Sequence, residues 1–209
     1  MNIILFHSTN EYRKSSGPPC LYLCSKEKTV LEKQLLELHK AFKNPKITII
    51  SDCKPKKIKN ITDNFPNISF KEITPDINEL YNIYPIIMDI ADKCIIINNN
   101  IIFNHKIFQN LDKNRSQLFL SNEHVLELGC TLTNNIIQHV SWALPLSWIN
   151  IGFFCNKELS LLKYISSLPK NKNLFFFEGI NWIIKSGGEI HGKLIKNKIK
   201  IIKEPLNVL

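Results

Sequence analysis

The chain has 209 residues, of which 44% are hydrophobic, and this composition excludes a largely disordered protein and suits one folded domain. Its 27 Lys and Arg against 18 Asp and Glu give a net charge of +9, which favours polyanionic partners. Only Arg13 and Arg115 are arginines, although arginine is the side chain that binds phosphates and bases in a bidentate way. The apolar runs are far shorter than a membrane span, and we expect no secretion signal.

The six cysteines stand at positions 20, 24, 53, 94, 130 and 155, and no two of them form a Cys-x-x-Cys pair. Cys94 and Cys155 lie inside apolar segments that are typical of buried strands. We therefore expect reduced, buried thiols and a cytoplasmic protein.

The front half of the chain alternates predicted strands and helices. Strands are predicted over residues 2–6, 47–50, 68–73 and 94–97, and helices over 27–42, 78–91 and near 105–111. Residues 7–19 predict a polar loop, and the lysine-rich residues 54–59 predict a basic loop. This alternation is typical of a parallel, Rossmann-like sheet.

The back half changes character after residue 115. Extended segments are predicted at 117–120, 125–128, 136–142 and 148–155, and helices at 157–167 and 175–186. Residues 190–195 and 198–202 predict a C-terminal hairpin. The whole pattern predicts a single α/β domain over residues 1–209, with a Rossmann-like, mixed and mainly parallel sheet that ends in this hairpin.

The strand at 94–97 ends abruptly in three asparagines, Asn98, Asn99 and Asn100. In open α/β sheets, ligands bind just outside the carboxyl ends of the strands, so these polar side chains mark a candidate site. A catalytic Mg²⁺ prefers carboxylates, and asparagine supplies an oxygen without the charge. A strand-ending turn is the alternative, because asparagine tolerates left-handed backbone geometry.

Several segments resemble one known family. Residues 29–35 read Thr-Val-Leu-Glu-Lys-Gln-Leu and resemble the helix start Pro-Leu-Ile-Glu-Arg-Gln-Leu, and residues 148–152 read Trp-Ile-Asn-Ile-Gly and resemble Trp-x-Gly-Ile-Gly. Weaker matches lie at 17–21, 78–84, 96–103 and 201–207. The family is that of the small sugar-phosphate nucleotidyltransferases of the glycosyltransferase-A type fold, and among them the chain looks closest to the choline-phosphate cytidylyltransferases.

This resemblance implies a fold of the nucleotide-diphospho-sugar transferase type. It also implies a reaction in which a sugar phosphate or alcohol phosphate attacks the α-phosphate of a nucleoside triphosphate and pyrophosphate leaves. The family's chemistry is assisted by Mg²⁺, so the implied partners are a nucleoside triphosphate, a phosphorylated small molecule and Mg²⁺ if the protein is active.

The resemblance also implies roles for individual residues. The implied catalytic residues, which neutralise phosphate charge, are Arg13 and Lys14. The implied nucleotide-binding residues are Phe6, His7, Ser8, Asn78 and Asn98. The implied acceptor-binding residues are Tyr84, Asn150 and Glu178, and the implied metal ligands are Asn100 and Glu204. A helix N-cap for Asn78 and a core position for Tyr84 are alternatives that stay open.

The departures from the family pattern bear on activity. The family's first loop is glycine-rich, whereas here no glycine precedes Gly17. Asn100 stands where the family has its first metal carboxylate, Lys203 stands near the second, and no Asp follows Asp112. These departures make efficient transfer less expected and leave open whether catalysis survives.

Four hypotheses follow. They are a divergent member that binds but reacts weakly or not at all, an active nucleotidyltransferase with unusual residues, a glycosyltransferase of the same fold, and a nucleic-acid binder. The last is disfavoured because no nucleic-acid motif is present, and Phe175, Phe176 and Phe177 lie in an apolar helix where core packing is expected. Mg²⁺ dependence separates the first two hypotheses.

Overall fold

A computed structural model describes residues 1–7, 19–25, 27–52, 55–73, 79–98, 101–122, 128–171, 173–196 and 199–202. The strands are β1 (Asn2–His7), β2 (Lys46–Ser51), β3 (Ile68–Glu72), β4 (Lys93–Asn98), β5 (Ile101–Ile102), β6 (Ser116–Ser121), β7 (Leu128–Thr133), β8 (Ile136–Trp142), β9 (Leu146–Cys155), β10 (Ile190–Leu194) and β11 (Lys200–Ile201). The α-helices are α1 (Val30–Ala41), α2 (Pro55–Thr62), α3 (Glu79–Ile87), α4 (Asn156–Ser167) and α5 (Phe176–Lys185). The chain divides into two compact units, and its prediction as a single domain stays a prediction.

Unit 1 comprises Met1–Pro75, Ile97–Asn110 and Asn197–Leu209. Its sheet has the parallel order β3-β2-β1, and β5 pairs with β11 as a separate antiparallel ribbon. The side chains of β1 from Ile3 to His7 are all buried. Successive side chains point to opposite faces, so both faces of this strand are covered, as expected for a parallel strand. The predicted strands over 2–6, 47–50 and 68–73 are confirmed.

Thr29 caps the amino-terminal end of helix α1. The Thr29 hydroxyl accepts a hydrogen bond from the Glu32 N–H (3.2 Å), and the Glu32 carboxylate accepts one from the Thr29 N–H (2.7 Å). This reciprocal capping box satisfies two amides that the first turn leaves without helical partners. The predicted helix over 27–42 therefore forms, but it begins after Thr29.

Helix α2 corrects a prediction. Residues 54–59 were expected to form a basic loop, yet a helix begins at Pro55, a residue suited to the first helical position. Ile58 is fully buried, while Lys56, Lys57 and Lys59 are exposed. The buried isoleucine anchors one face, so the lysine run is the outer face of an amphipathic helix.

Unit 2 comprises Asp76–Ile96 and Leu111–Lys196, and its strands follow the order β4-β9-β6-β10-β8-β7. Strand β10 runs parallel to β6, whereas β6 and β9, as well as β7 and β8, are antiparallel. The mixture of parallel and antiparallel strands with helices confirms the predicted mixed α/β class. None of the described helices is long and apolar enough to cross a membrane.

The predicted C-terminal hairpin is wrong. Strand β10 pairs with β6 and, at His191, with β8, whereas β11 pairs with β5 in unit 1. The Ile195 N–H donates to the Leu120 carbonyl (2.8 Å), so the chain continues along β6 instead of turning back at Lys196. The two strands are neighbours in sequence, which predicted that they pair with each other, but each pairs instead with a strand far away in the sequence.

Asparagine occupies most of the positions with positive φ in the described residues, a backbone geometry that usually favours glycine. Among the described residues, seven of the eight non-glycine residues with positive φ are asparagines, namely Asn44, Asn67, Asn110, Asn134, Asn135, Asn150 and Asn156. Asn134 and Asn135 form the two-residue turn between β7 and β8, where a positive φ at both positions matches the twist of the strands. A loop of this protein that lacks glycine can therefore still turn tightly.

Candidate functional site

The carboxyl ends of β1 and β2 lie side by side in unit 1. The two strands are parallel, and His7 stands opposite Ser51 in the register. Both side chains are buried, and Asp52 follows directly after β2 with a half-buried side chain. Polar side chains at this edge of a parallel sheet mark the place where α/β proteins bind ligands.

His7 is the most unusual side chain at this edge. It is buried, and burial lowers the pKa of its imidazole to about 4, although the Gln34 side chain raises that pKa. The Gln34 side chain is the polar group beside the ring, and one such side chain cannot satisfy both ring nitrogens, which point in different directions. The imidazole is therefore neutral at pH 7, with one donor and one acceptor nitrogen. A buried polar group in this state costs free energy, which a bound ligand can recover.

Gln34 of α1 also lies at this edge. Its side chain is buried, and its Nε2 donates a hydrogen bond to the Ile101 carbonyl of β5 (2.9 Å). It shares the buried face of α1 with Leu31, Leu35 and Leu38. The resemblance implies no role for Gln34. A polar residue among apolar ones at helical spacing was the signal that could have found it.

Glu37, one turn further along α1, fixes the segment after β5. Its carboxylate accepts hydrogen bonds from the His105 N–H (2.8 Å) and from Lys40 Nζ (2.9 Å), and His105 Nδ1 lies 2.9 Å away. Burial alone would raise the pKa of Glu37, but these contacts outweigh it and lower the pKa to about 2. The ionised carboxylate thereby holds a short 3-10 helix at His105–Phe108 against α1.

Half of the twelve residues implied by the resemblance lie outside the described residues. They are Ser8, Arg13, Lys14, Asn78, Asn100 and Glu204. Asn98 is the last residue of β4. Phe6 is fully buried in the core, so its main chain is the part that remains for a ligand. All of these roles stay predictions.

The implied acceptor residues belong to unit 2. Tyr84 is half-buried in α3 with its ring 6.5 Å from that of Tyr81, and Glu178 accepts a hydrogen bond from the Phe175 N–H (2.7 Å) at the start of α5. Among the described residues, no hydrogen bond or ion pair joins Tyr84, Asn150 and Glu178. Their shared role in acceptor binding stays a prediction.

Asn150 interrupts the longest strand. Leu118 and Leu120 of β6 pair with Gly152 and Trp148 of β9, so β9 carries extra residues at this point and forms a bulge. Asn150 has a φ of 55° there and is half-buried, whereas its neighbours on β9 are buried. The resembling motif has glycine at this position, and asparagine is the other residue that commonly adopts this geometry.

The two units differ in charge. Unit 1 contains 17 Lys and Arg against 8 Asp and Glu, a net charge of +9, whereas unit 2 contains 10 of each and is neutral. The entire excess positive charge of the chain therefore belongs to the unit that carries His7 and Gln34. A positive potential there raises the local concentration of anionic ligands.

The described residues do not supply a metal centre. Within them, no group of three or more His, Cys, Asp or Glu side chains is placed to hold a metal ion. Asp52 is a carboxylate at the edge of the sheet, but one carboxylate beside a neutral imidazole does not make a Mg²⁺ site. The implied ligands Asn100 and Glu204 lie outside the described residues, so the Mg²⁺ that the resemblance implies stays a prediction.

Comparison with known proteins identifies the fold. No family model and no curated protein sequence matches the chain. Among solved structures, a CTP:phosphocholine cytidylyltransferase from Streptococcus pneumoniae has a TM-score of 0.73 and 17% identity, covering 97% of this chain and 93% of that chain. A nucleoside-diphosphate-sugar pyrophosphorylase from Vibrio cholerae has a TM-score of 0.75 and 13% identity, with 98% and 96% covered.

An inositol-1-phosphate CTP transferase from T. maritima has a TM-score of 0.75 and 11% identity, covering 100% of this chain and 91% of that chain. These similarities extend over nearly the whole length of each partner, while the identities are too low to carry an activity across. The chain therefore has the fold of the sugar-phosphate and choline-phosphate nucleotidyltransferases.

Proposed function

We propose that the protein binds a nucleoside triphosphate at the carboxyl edge of β1 and β2, and that it is a divergent nucleotidyltransferase. Transfer of the nucleotidyl group to a sugar phosphate or alcohol phosphate is then slow or lost. The observation that carries this proposal is the buried, neutral His7, which lies beside Gln34 and keeps a ring nitrogen without a described hydrogen-bond partner, in the unit that holds the whole excess positive charge.

Each feature of unit 1 suits one part of a nucleotide. A triphosphate is a polyanion, and lysine and arginine side chains stabilise the charge that develops when pyrophosphate leaves. Arg13 and Lys14 follow β1 in sequence and are the proposed phosphate ligands. The neutral imidazole of His7 has both a donor and an acceptor, which suits the polar edge of a base or a ribose hydroxyl.

The proposed loss of rate rests on the residue types at the metal positions. A bound Mg²⁺ would stabilise the charge on the transferred phosphate and orient it. The proposed ligands Asn100 and Glu204 supply one negative charge together, and the residue before Glu204 in the sequence is the positively charged Lys203. A site of this composition is expected to hold Mg²⁺ weakly, which favours binding over catalysis.

A function in binding alone is the second candidate, and the same residue types favour it. The two candidates share the nucleotide site and differ only in turnover. The names of the structural neighbours suggest which ligands to try first, because two of those proteins are described as CTP-dependent and act on phosphocholine or inositol-1-phosphate.

Calorimetric titration tests the proposal. CTP, UTP, GTP and ATP are added to the protein with and without Mg²⁺, and we expect one of them to bind selectively. The double variant Arg13→Ala/Lys14→Ala is expected to weaken that binding at least roughly tenfold, or about 1.4 kcal/mol. Lys113→Ala, an exposed lysine of unit 2, is the control and should bind normally.

Pyrophosphate release in the presence of phosphocholine or a sugar phosphate then separates the two candidates. Release that requires Mg²⁺ supports the divergent enzyme, and binding without release supports the binding protein. If no nucleotide binds, the proposal is wrong and the fold serves another purpose.

A further inference from the structure

Unit 2 exposes an aromatic surface, here called the aromatic face, formed by Trp142, Phe175, Phe177 and Trp182. The Phe177 ring lies 5.7 Å from the Trp142 ring, edge to face, and 5.9 Å from the Phe175 ring, stacked. Trp142 is 53% exposed, Phe175 48% and Trp182 45%. Core packing was expected for the Phe175–Phe177 triplet, but only Phe176 is fully buried.

The fold holds these rings outward. Phe176 packs between Trp148 and Phe154 in the core, which turns its two neighbours away from it. Asn181 forms two hydrogen bonds with the main chain of Val140, accepting from its N–H (2.9 Å) and donating to its carbonyl (2.7 Å). These hydrogen bonds fix helix α5 along β8, so the exposed rings are held in defined positions.

The exposed area has the size of an interaction hot spot. Half-exposed aromatic side chains leave roughly 300 Å² of ring surface on Trp142, Phe175 and Trp182 together. Exposed apolar patches of this size on single proteins are often functional. A stable interface buries about 800 Å² on each partner, so the aromatic face would be the central part of such an interface, where tryptophan is enriched.

Charge decides between the occupants. Unit 2 is neutral, so it offers little attraction to a polyanion such as single-stranded nucleic acid. If two copies of this chain meet through unit 2, the facing units have no net charge and do not repel each other. Contact through unit 1 would instead bring a net charge of +9 against another of +9, and the two copies would repel each other.

Two side chains of opposite charge stand close to Trp182. The Lys170 ammonium lies 6.0 Å from the centre of the Trp182 ring, and Glu178 stands one turn before Trp182 on α5. In a two-fold arrangement, each copy presents the same surface to the other, so Lys170 of one copy can face Glu178 of the second. We infer that the aromatic face is a two-fold interface through which two copies of this chain associate.

Sedimentation velocity over a range of protein concentrations tests this inference. The unmodified protein is expected to shift from monomer to dimer as its concentration rises. Trp142→Ser and Phe175→Ser are each expected to raise the dissociation constant of the dimer at least roughly tenfold, because each removes a central aromatic contact. Both side chains are exposed, and thermal unfolding of each variant checks that the monomer still folds.

Tyr164→Ser is the matched control. Tyr164 is 64% exposed on α4 and makes none of the ring contacts of the aromatic face, so its loss should leave the dimer unchanged. Added salt screens both the Lys170–Glu178 attraction and the repulsion between two positively charged chains, but it does not screen apolar contacts, so the dimer should persist at high salt. A monomer at every concentration, or a dimer that both serine variants leave unaffected, would overturn the inference.

Discussion

Two buried ionisable side chains, Glu158 in unit 2 and His7 in unit 1, differ in how far their hydrogen-bonding groups are satisfied. In unit 2, the buried Glu158 accepts hydrogen bonds from the Ser116 hydroxyl (3.1 Å) and from the Glu189 N–H (3.0 Å), so its carboxylate is fully used in joining α4 to β6 and β10. In unit 1, the buried His7 lies beside Gln34 and keeps a ring nitrogen without a described hydrogen-bond partner. A buried group that is satisfied stabilises the fold, whereas one that lacks a partner costs stability and is available to a ligand.

The distribution of charge follows the same division. Unit 1 carries all of the excess positive charge, and unit 2 is neutral and exposes aromatic rings instead. This division supports the proposals of phosphate binding by unit 1 and of contacts with a second copy through unit 2. Breaking either assignment requires variants that act in one unit and leave the other unchanged.

The largest expected effect concerns His7 and acid. Its pKa is about 4 in the folded protein and 6.5 when unfolded, so between these values the unfolded chain binds more protons. The titration of His7 therefore leaves the free energy of unfolding unchanged above pH 6.5 and lowers it by about 3 kcal/mol in total as the pH falls to 4. Urea unfolding across this pH range measures the loss.

His7→Leu removes the titrating group and should flatten this part of the pH profile. His139→Leu, which changes an exposed histidine of unit 2, is the control and should keep the slope. An unchanged slope in His7→Leu would show that His7 is not the group that makes unit 1 sensitive to acid.

The next effect concerns Asn181 in unit 2. Asn181→Leu leaves the N–H and carbonyl of Val140 without their side-chain partners, and we expect a loss of roughly 2 kcal/mol in the free energy of unfolding. Asn64→Leu, at an exposed position of unit 1, should cost far less. Equal losses in the two variants would mean that the pairing of α5 with β8 adds little.

A smaller effect is expected at Thr29 in unit 1. Thr29→Ala removes the hydroxyl that caps α1 and should cost about 1 kcal/mol, while Thr29→Ser keeps the cap and should cost less. Chemical denaturation compares the two variants. If both lose the same stability, the methyl group of Thr29 matters more than its hydroxyl.

A second acid-dependent effect, comparable in size to that of His7, is expected at Glu37 in unit 1. Its folded pKa of about 2 lies below the ordinary value of 4.5, so the stability it contributes is present above pH 4.5 and is lost as the pH falls toward 2. Glu37→Gln should remove this acid step and leave the His7 step at higher pH in place. The same unfolding series, extended to lower pH, measures both steps in one profile.

The strands and helices of this chain could largely be predicted from local patterns. The apolar runs of β1, β2 and β4 and the helical spacing of α1 are signals that neighbouring residues determine. The fate of β10 and β11 could not be predicted in this way, because each pairs with a strand far away in sequence. Helix α2 was not predicted, because its run of lysines is typical of a solvent-exposed loop and Ile58 is the single fully buried apolar side chain among its described residues.

The candidate site was predicted only in part. His7 could be named from the resemblance, but its burial and its lowered pKa depend on packing that no local pattern reveals. Gln34 and Glu37 reach partners more than sixty residues away in the chain, so their roles emerge only in the folded protein. The exposure of Phe175 also depends on which face of α5 the core occupies.

The most direct test of the nucleotide assignment is NMR of the histidine ring nitrogens during addition of a nucleoside triphosphate. Our account predicts that the resonances of His7 in unit 1 shift as the nucleotide binds, while those of the exposed His139 in unit 2 stay in place. Nucleotide binding that moves His139 and leaves His7 unchanged, or no change at any nucleotide concentration, would contradict it.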